Sequence, residues 1–221
     1  MQLNWKNIIF DFDGVLVNSN EIRVNGFSEL FYGYNSEDVN ELVSYVHQNG
    51  GISRYKKIRF FFEDIRNEDI SNSDVNKLAE IYSKIVEEKV EKADAIPGSE
   101  FFLNKYFKTN RLAIVSGSDQ KELRRVCDKR GISRYFCSIL GSPVDKSDNL
   151  RELIERQRWD VSECVYIGDS INDYDAAVLN EVEFLGVRSG AFEWKTKGVP
   201  SINDLTQLEK FLCNNDFGEK K

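Results

Sequence analysis

The sequence predicts an α/β fold, in which a doubly wound parallel sheet forms a core domain and an inserted helical bundle forms a cap domain. Short apolar runs alternate with helical patterns at the start of the chain and again over its second half, which is typical of parallel sheets. Between these regions lies a long stretch in which apolar residues recur only at helical spacing. We therefore expect the core at residues 1–17 and 94–221 and the cap at residues 18–93.

The first strand is predicted at Asn7–Phe10, a short apolar run typical of a strand that is buried on both faces. Four amphipathic helices are then expected in the cap, because apolar residues recur three and four positions apart. These apolar residues are Phe27, Leu30, Phe31 and Tyr34; Val39, Leu42, Val43 and Val46; Ile58, Phe61, Phe62 and Ile65; and Val75, Leu78, Ala79, Tyr82, Ile85, Val86 and Val90. Asn49-Gly50-Gly51 separates the second helix from the third, for which Ser53 is the expected N-cap.

The strand–helix alternation returns after Pro97-Gly98. Four more strands are expected, at residues 112–115, 136–140, 164–167 and 184–187. Each is followed by a predicted helix, at residues 119–130, 148–158, 171–180 and 204–213. Gly131 is expected to end the first of these helices.

The composition excludes several classes of protein. Asp and Glu number 37 against 30 Lys and Arg, and this acidic balance argues against nucleic acid or an anionic membrane as a partner. The four cysteines form no CxxC pair and His47 is the only histidine, which argues against a zinc site and against histidine-based nucleophilic catalysis. Cys137 and Cys164 are expected to be small core residues in strands. Without a secretory leader or a long apolar run, the chain is expected in the cytoplasm, as a monomer or homodimer.

Acidic and polar side chains follow four of the predicted strands, at the edge where a parallel sheet binds its ligands. Asp11 and Asp13 follow the first strand, and Ser116-Gly117-Ser118 follows the second. Lys146 follows the third strand, and the segment from Asp169 to Asp173 follows the fourth. So many converging carboxylates would repel one another without a cation, and Mg²⁺ prefers such oxygen ligands.

These residue types suit phosphoryl transfer. An aspartate such as Asp11 can attack phosphorus and form an aspartyl-phosphate, which divides one difficult step into two easier ones. Asp13 lies two residues further along an extended chain, on the same side, and can act as general acid and then as base. Mg²⁺, Lys146 and the Ser116 hydroxyl would stabilise the charge on the transferred group.

Four segments, taken in order, resemble the four motifs of the haloacid dehalogenase-like superfamily. They are Asp11-Phe12-Asp13-Gly14-Val15-Leu16-Val17-Asn18-Ser19, Val115-Ser116-Gly117, Lys146, and Gly168-Asp169-Ser170-Ile171-Asn172-Asp173. The helical insert and the return at Ile96-Pro97-Gly98 are similar to the branch with a helical cap, which includes phosphoglycolate phosphatase-like and β-phosphoglucomutase-like proteins. The resemblance spans nearly the whole chain and implies a Rossmann-like core.

The resemblance also implies roles for these residues. Asp11 would be the nucleophile and a Mg²⁺ ligand, and Asp13 would be the acid/base, with its backbone carbonyl on the metal. Asp169 would bind Mg²⁺ directly, while Asp173 would hold the water shell of the metal or orient Lys146.

Ser116, Gly117 and Lys146 would bind the phosphoryl group. Two positions depart from the family pattern, since Val15 stands where many relatives have Thr and Ser147 stands where Pro is frequent.

Structural explanations compete with these roles. Ser116 could simply form a turn, and Lys146 could lie on the surface.

The segment from Asn49 to Lys57 is the strongest candidate for substrate recognition in the cap. It combines a glycine pair, the start of a helix and three cations, of which Arg54 is expected to contact an anion or a sugar hydroxyl. An ordinary turn between two helices, with solvated Lys and Arg side chains, is the competing interpretation.

The predicted function is that of a Mg²⁺-dependent phosphatase acting on a small phosphorylated metabolite, either a sugar phosphate or a phospho-acid. Cap closure would exclude water and select the substrate. A phosphomutase on the same scaffold is the main alternative, and a non-catalytic sugar-phosphate-binding protein is another. A haloacid dehalogenase fits less well, because it does not need the acid/base aspartate at Asp13.

Overall fold

A computed structural model describes residues 3–190 and 192–214, and the predicted core residues 1, 2, 191 and 215–221 lie outside this range. Over the described residues, six parallel strands form one sheet in the order β3-β2-β1-β4-β5-β6. The strands are β1 (Asn7–Phe10), β2 (Arg111–Asp119), β3 (Ser138–Ser142), β4 (Cys164–Gly168), β5 (Glu183–Val187) and β6 (Ser201–Ile202). The order reverses beside β1, which places the ligand-binding crevice of a doubly wound sheet at the end of that strand.

Each face of the sheet carries its own hydrophobic core, because successive side chains in a strand point to opposite faces. Ile8 and Phe10 of β1 belong to one core, and Ile9 belongs to the other. Helices α5 (Ser99–Tyr106), α6 (Gln120–Lys129) and α9 (Leu208–Asn214) cover the first face. Helices α7 (Lys146–Gln157) and α8 (Ile171–Leu179) cover the second face, which completes the predicted doubly wound architecture.

The inserted region contains the four predicted helices, which we call the cap. They are α1 (Asn20–Leu30), α2 (Ser36–Gln48), α3 (Arg54–Arg59) and α4 (Asn72–Lys92), and α3 continues into a π-helical segment at Phe60–Ile65. Aromatic side chains fill the interior of the cap, where the rings of Phe31 and Phe61 stack with centroids 3.9 Å apart. The apolar core of the cap is continuous with the core on one face of the sheet.

The two chain segments that connect the sheet to the cap run beside each other. The Asn18 amide donates to the Asp94 carbonyl at 2.9 Å, and the Ile96 amide donates to the Leu16 carbonyl at 3.0 Å. These backbone hydrogen bonds fix the entry and exit of the cap close to the carboxyl end of β1. Among the described helices, none combines the length and hydropathy that a bilayer crossing requires.

The structure corrects four details of the sequence-based prediction. The third strand begins at Ser138 instead of residue 136, so the expectation that Cys137 is a buried strand residue is wrong, and its side chain is exposed. Lys146 is the first residue of α7, whereas the helix was expected to begin at residue 148. Helix α5 and strand β6 were not predicted, because α5 carries adjacent aromatic residues without clear periodicity and β6 has only two residues.

The first prediction concerns the close packing of α1 against α4 at Gly26. A Cβ atom at this position would lie 2.4 Å from Cγ1 of Val86 and 3.0 Å from Cε2 of Tyr82, both in α4. Helix propensity alone favours Ala over Gly by about 1 kcal/mol, but the overlap forces a shift in buried packing. We expect Gly26→Ala to lower the free energy of unfolding by about 1–2 kcal/mol, measured by urea denaturation.

Asn25→Ala is the matched control, because Asn25 is exposed on the same helix. Its free energy of unfolding should stay within about 0.5 kcal/mol of wild type or rise slightly. A stabilising effect of Gly26→Ala would show that the two helices are not packed this closely.

Candidate active site

The candidate site lies where the sheet edge faces the cap, in a cavity of about 320 Å³. Residues of both units line it, including Asp11, Ser116 and Asp169 from the core and Arg54 and Lys57 from the cap. Parallel pairing of β1 with β4 brings Asp11, which follows β1, beside Asp169, which follows β4, since Phe10 is in register with Ile167. The Asp11 amide extends this pairing by donating to the Ile167 carbonyl at 2.9 Å.

Three buried carboxylates meet at this edge. Asp11, Asp169 and Asp173 each offer one carboxylate oxygen, and these three atoms lie within 4.8 Å of one another. The Lys146 ammonium donates to Oδ2 of Asp11 at 3.0 Å and also to Oδ1 of Asp173. A single lysine therefore faces three carboxylates, and we call this group of four side chains the acidic cluster.

Burial and mutual repulsion shift the titration of the acidic cluster. Burial, with a further contribution from Asp173, raises the pKa of Asp11 to about 7 despite the opposing effect of Lys146. The same two causes raise the pKa of Asp169 well above its usual range. Burial disfavours the charged form of Lys146, but Asp11 and Asp173 outweigh it and raise the pKa of that ammonium. Lys146 therefore offsets only part of the negative charge that the three carboxylates carry when they are ionised.

Asp173 has a clear structural role within the cluster. Its Oδ2 accepts hydrogen bonds from the Ser170 amide at 3.0 Å and the Ser170 hydroxyl at 2.7 Å, which closes the first turn of α8. Its Oδ1 accepts from the Tyr166 hydroxyl at 3.0 Å in addition to Lys146. Asp173 therefore orients Lys146 and anchors α8 at the same time.

Asp169 is held by residues that the sequence patterns did not single out. Its Oδ2 accepts from the Asn20 side-chain amide at 2.7 Å and from the Ser189 hydroxyl at 3.3 Å. Gly14 packs directly on this carboxylate, because a Cβ there would lie 2.1 Å from Oδ2 of Asp169. No local sequence signal identifies Asn20 or Ser189, since each meets Asp169 only in the folded chain.

Asp13 points away from the acidic cluster and towards the cap. Its carboxylate accepts from the Ser19 hydroxyl at 2.5 Å, the Ser118 hydroxyl at 2.6 Å and Nε of Arg23 at 2.8 Å. Burial opposes ionisation of Asp13, but Arg23 and the hydrogen bonds outweigh it and lower the pKa of this carboxyl. Asp13 is thus held as a carboxylate by a cap arginine.

The segment that carries Ser116 and Gly117 lies directly beneath a cap loop. Ser116 is buried, and its hydroxyl accepts from the Ser118 amide at 3.2 Å. A Cβ on Gly117 would lie 2.3 Å from the Gly51 carbonyl oxygen, so only glycine allows the cap loop to come this close. Ser116 and Gly117 line the same cavity as Asp11, and Lys146 contacts the Asp11 carboxylate directly.

Arg54, the predicted cap contact, is buried and lines the cavity. Its Nη1 donates to Oε2 of Glu122 at 2.6 Å and to the Ser83 hydroxyl at 2.6 Å. Glu122 belongs to core helix α6, and its Oε1 accepts from Nη1 of Arg23 at 2.5 Å. We call Arg23, Glu122 and Arg54 the arginine bridge; it joins two cap helices to the core.

The arginine bridge controls the titration of Glu122. Burial opposes ionisation, but the two guanidinium groups outweigh it and lower the pKa of Glu122 to about 2. Because Glu122 is completely buried, its ion pairs with Arg23 and Arg54 are shielded from solvent. These ion pairs connect α6 to the cap helices α1 and α3. The sequence patterns missed Glu122, which looks like an ordinary first-turn acid of α6.

The donor set of the acidic cluster fits a hard divalent cation. Three close carboxylates with one lysine leave a surplus of negative charge, and Mg²⁺ binds through a few carboxylates together with waters and substrate oxygens. Asp11, Asp169 and Asp173 are the side chains that would hold it. The Asp13 carboxylate is occupied by Arg23 and two serines, so only the backbone carbonyl of Asp13 is left for the role expected of it.

Comparisons with known proteins agree with this architecture. The family model described as haloacid dehalogenase-like hydrolase matches residues 8–187. Among solved structures, a hydrolase from Pseudomonas syringae has a TM-score of 0.79 at 18% identity, covering 96% of this chain and 100% of its own.

Two further structures share the fold. A haloacid dehalogenase-like family protein from Streptococcus pneumoniae has a TM-score of 0.70 at 17% identity, covering 94% of this chain and 98% of its own. CbbY from Rhodobacter sphaeroides, solved in complex with phosphate, has a TM-score of 0.73 at 17% identity, covering 92% of this chain and 96% of its own. The comparison with curated proteins returned no match.

The second prediction concerns the pH dependence that the arginine bridge gives to stability. Because the pKa of Glu122 falls from 4.5 to about 2 on folding, its ionisation contributes about 3 kcal/mol above pH 4.5, and this contribution is lost as the pH falls towards 2. Glu122→Gln should lower the free energy of unfolding by about 3–5 kcal/mol at pH 7. The difference in free energy of unfolding between Glu122→Gln and wild type should be smaller than at pH 7 by about 1 kcal/mol at pH 4 and by about 2 kcal/mol at pH 3. Urea denaturation at each pH measures it.

Glu152→Gln serves as the control, because Glu152 forms an exposed ion pair with Arg156. This variant should differ from wild type by less than about 1 kcal/mol at neutral pH. A constant difference between Glu122→Gln and wild type from pH 7 to pH 3 would contradict the ionised arginine bridge.

Proposed function

Because the chain belongs to the haloacid dehalogenase-like hydrolase family, we propose that it is a Mg²⁺-dependent phosphatase that hydrolyses a small phosphate monoester through an aspartyl-phosphate. The observation that carries this proposal is the acidic cluster at the carboxyl end of the sheet, closed over by the cap. The phosphate bound to the structurally similar CbbY supports the same class of ligand.

Asp11 is the proposed nucleophile. One carboxylate oxygen attacks phosphorus, the new oxygen–phosphorus bond forms, and the bond from phosphorus to the leaving-group oxygen breaks. The Phe12 amide donates to Oδ1 of Asp11 at 2.6 Å and Lys146 donates to Oδ2, so the carboxylate is held in one orientation. Water then attacks the phosphorus of the aspartyl-phosphate, which releases inorganic phosphate and regenerates Asp11.

Asp13 is the proposed acid and base. Because Arg23 holds the resting Asp13 as a carboxylate, Asp13 would first take up a proton, which a singly protonated phosphate monoester can bring. It would give this proton to the leaving-group oxygen in the first step, take one from the attacking water in the second, and then release that proton to solvent. Its hydrogen bonds to Ser19, Ser118 and Arg23 set the position from which these proton transfers start. Arg23 ties this position to the cap, so the placement of the acid/base depends on the cap being closed.

The transferred phosphoryl group would be bound by Ser116, the Gly117 backbone and Lys146. The first two line the cavity with Asp11, and Lys146 donates to Asp11. Mg²⁺, when held by the carboxylates of the acidic cluster, would offset the negative charge that the nucleophile and the phosphoryl oxygens bring together. A cap closed over the substrate would exclude water and so strengthen these electrostatic contacts.

A phosphomutase is the second candidate, because it would use the same acidic cluster. The two functions differ in the acceptor of the phosphoryl group, which is water in a phosphatase and a sugar hydroxyl in a mutase. Release of inorganic phosphate at the same rate as substrate loss supports the phosphatase, whereas sugar-phosphate interconversion without phosphate release supports the mutase.

The third prediction tests the nucleophile. Asp11→Asn keeps the shape of the side chain but removes the attacking charge, so kcat should fall at least ~10³-fold, equivalent to ~4 kcal/mol of barrier. The measurement is phosphate release from p-nitrophenyl phosphate in the presence of Mg²⁺. Excess EDTA should abolish the wild-type activity, and added Mg²⁺ should restore it.

Asp175→Asn is the control, since Asp175 is an exposed aspartate on α8 outside the acidic cluster, and its turnover should match wild type. Near-normal turnover of Asp11→Asn would rule out the covalent mechanism through Asp11. Full activity in EDTA would rule out the metal dependence.

A further inference from the structure

The start of the cap helix α1 contacts two carboxylates of the core. The Ser19 hydroxyl and Nε of Arg23 donate to Asp13. The Asn20 side-chain amide donates to Oδ2 of Asp169 at 2.7 Å, and Asp169 is one of the three side chains that would hold Mg²⁺. Among the described cap residues, Asn20 alone hydrogen-bonds such a side chain, so this bond joins the cap to the acidic cluster.

The side chains at the start of α1 serve these carboxylates and not the helix itself. Ser19 occupies the N-cap position, where a serine side chain usually accepts a hydrogen bond from the helix backbone. Its hydroxyl instead donates to Asp13, and no side-chain cap bond forms. Asn20, the first helical residue, has a lower helix propensity than Ala. The start of α1 is thus organised around the two core carboxylates.

The hydrogen bond between Asn20 and Asp169 lies directly against Gly14. A Cβ at Gly14 would lie 2.1 Å from Oδ2 of Asp169 and 2.4 Å from Nδ2 of Asn20, so only glycine leaves room for this bond. The Ser189 hydroxyl also approaches Oδ2, at 3.3 Å, but it is closer to the Gly14 carbonyl. Because a hydroxyl has a single proton to donate, Asn20 is the main donor to this oxygen.

These contacts determine which oxygen Asp169 can offer to a cation. Oδ2 is occupied by Asn20 and Ser189, whereas Oδ1 accepts no hydrogen bond from the residues that the structure describes. Oδ1 is therefore the atom left for metal binding. Asp11 and Asp173 lie close enough to repel Asp169, and the hydrogen bond from Asn20 holds it in place against this repulsion. Partners that orient a metal ligand in this way typically change metal affinity by about 10–100-fold.

Asn20 moves with the cap. The backbone link between the two connecting segments lies just before α1, which begins at Asn20. Gly26 of the same helix packs on Val86 of α4, so α1 belongs to the packing of the cap. A rotation of the cap away from the sheet would carry the Asn20 amide away from Asp169, and a hydrogen bond weakens steeply outside its usual length and angle.

We propose that Asn20 is a positioning residue that couples Mg²⁺ binding to cap closure by holding Asp169 ready for the metal. With the cap closed, Asn20 fixes the Asp169 carboxylate and the site binds Mg²⁺ tightly. With the cap open, the carboxylate loses this donor and the site binds Mg²⁺ more weakly. Because such coupling is reciprocal, bound Mg²⁺ favours the closed cap by the same factor. The inference rests on the Mg²⁺ dependence of the function proposed above.

The first measurement is the Kd of Mg²⁺, determined by isothermal titration calorimetry without substrate. Asn20→Ala should raise the Kd by ~10–100-fold, equivalent to ~1.4–2.7 kcal/mol, because Asp169 loses its main donor. Asn25→Ala is the matched control, since Asn25 is exposed on the same helix, and it should keep the wild-type Kd. Both variants should fold, because neither change removes a buried apolar group, and urea denaturation in EDTA checks this. A merely structural role of Asn20 would lower stability without changing the Kd.

The second measurement is hydrogen–deuterium exchange of the backbone amides at residues 50–57, which lie against the core. In this segment the Gly51 carbonyl packs on Gly117 and Arg54 binds Glu122, so its amides exchange more slowly while the cap is closed. Saturating Mg²⁺ should slow this exchange in wild type by about the factor that separates the two Kd values. In Asn20→Ala, saturating Mg²⁺ should slow it far less, because the metal site no longer distinguishes the closed cap from the open one.

Two results would overturn the inference: a Kd of Asn20→Ala equal to that of wild type, or an equal slowing of exchange by Mg²⁺ in both proteins. Wild type that binds no Mg²⁺ would overturn it as well, together with the metal dependence. Hydrolysis of p-nitrophenyl phosphate tests the phosphatase function separately, because neither measurement contains a substrate. If wild type binds Mg²⁺ but hydrolyses no phosphate ester, that function fails, and the two Kd values still decide the role of Asn20.

Discussion

The structure depends on the meeting of three buried carboxylates around one lysine at the carboxyl end of the sheet. Asp11 and Asp169 are brought together by the parallel pairing of β1 with β4, and Asp173 joins them from the first turn of α8. Lys146 offsets one of these charges. The raised pKa values of Asp11 and Asp169 reflect burial and the repulsion between the carboxylates that Lys146 does not offset. A hard divalent cation and a phosphoryl group are the ligands that suit such a place.

A second group of charges connects this cluster to the cap. Glu122 binds Arg23 and Arg54, and Arg23 in turn binds Asp13, so a continuous line of ion pairs runs from α3 to the proposed acid/base. Tyr55 and Lys56 add contacts from the same cap segment to Asp119 and Asp145 of the core. Closing the cap and positioning the acid/base are therefore parts of one arrangement.

Much of the fold and the core of the site could be predicted from the sequence, because the relevant signals are local. The apolar run of β1 and the acidic residues that follow it are adjacent in the chain, and so are β4 and Asp169. Glu122 could not be found in this way, because its partner Arg54 lies 68 residues away and only the packing of α3 on the core brings them together. Asn20 and Ser189 could not be predicted for the same reason, because they reach Asp169 from distant parts of the chain.

The central claim is that the acidic cluster is strained by its own charge and relieved by a divalent cation. The most direct measurement is the free energy of unfolding of wild type and Asp169→Asn, in EDTA and in saturating Mg²⁺. In EDTA the variant should be more stable by about 1 kcal/mol or more, because one repelling carboxylate is gone. Mg²⁺ at about 100 times its Kd should stabilise wild type by about 2.7 kcal/mol and the variant far less. A variant that is less stable in EDTA and gains as much from Mg²⁺ as wild type would contradict the claim.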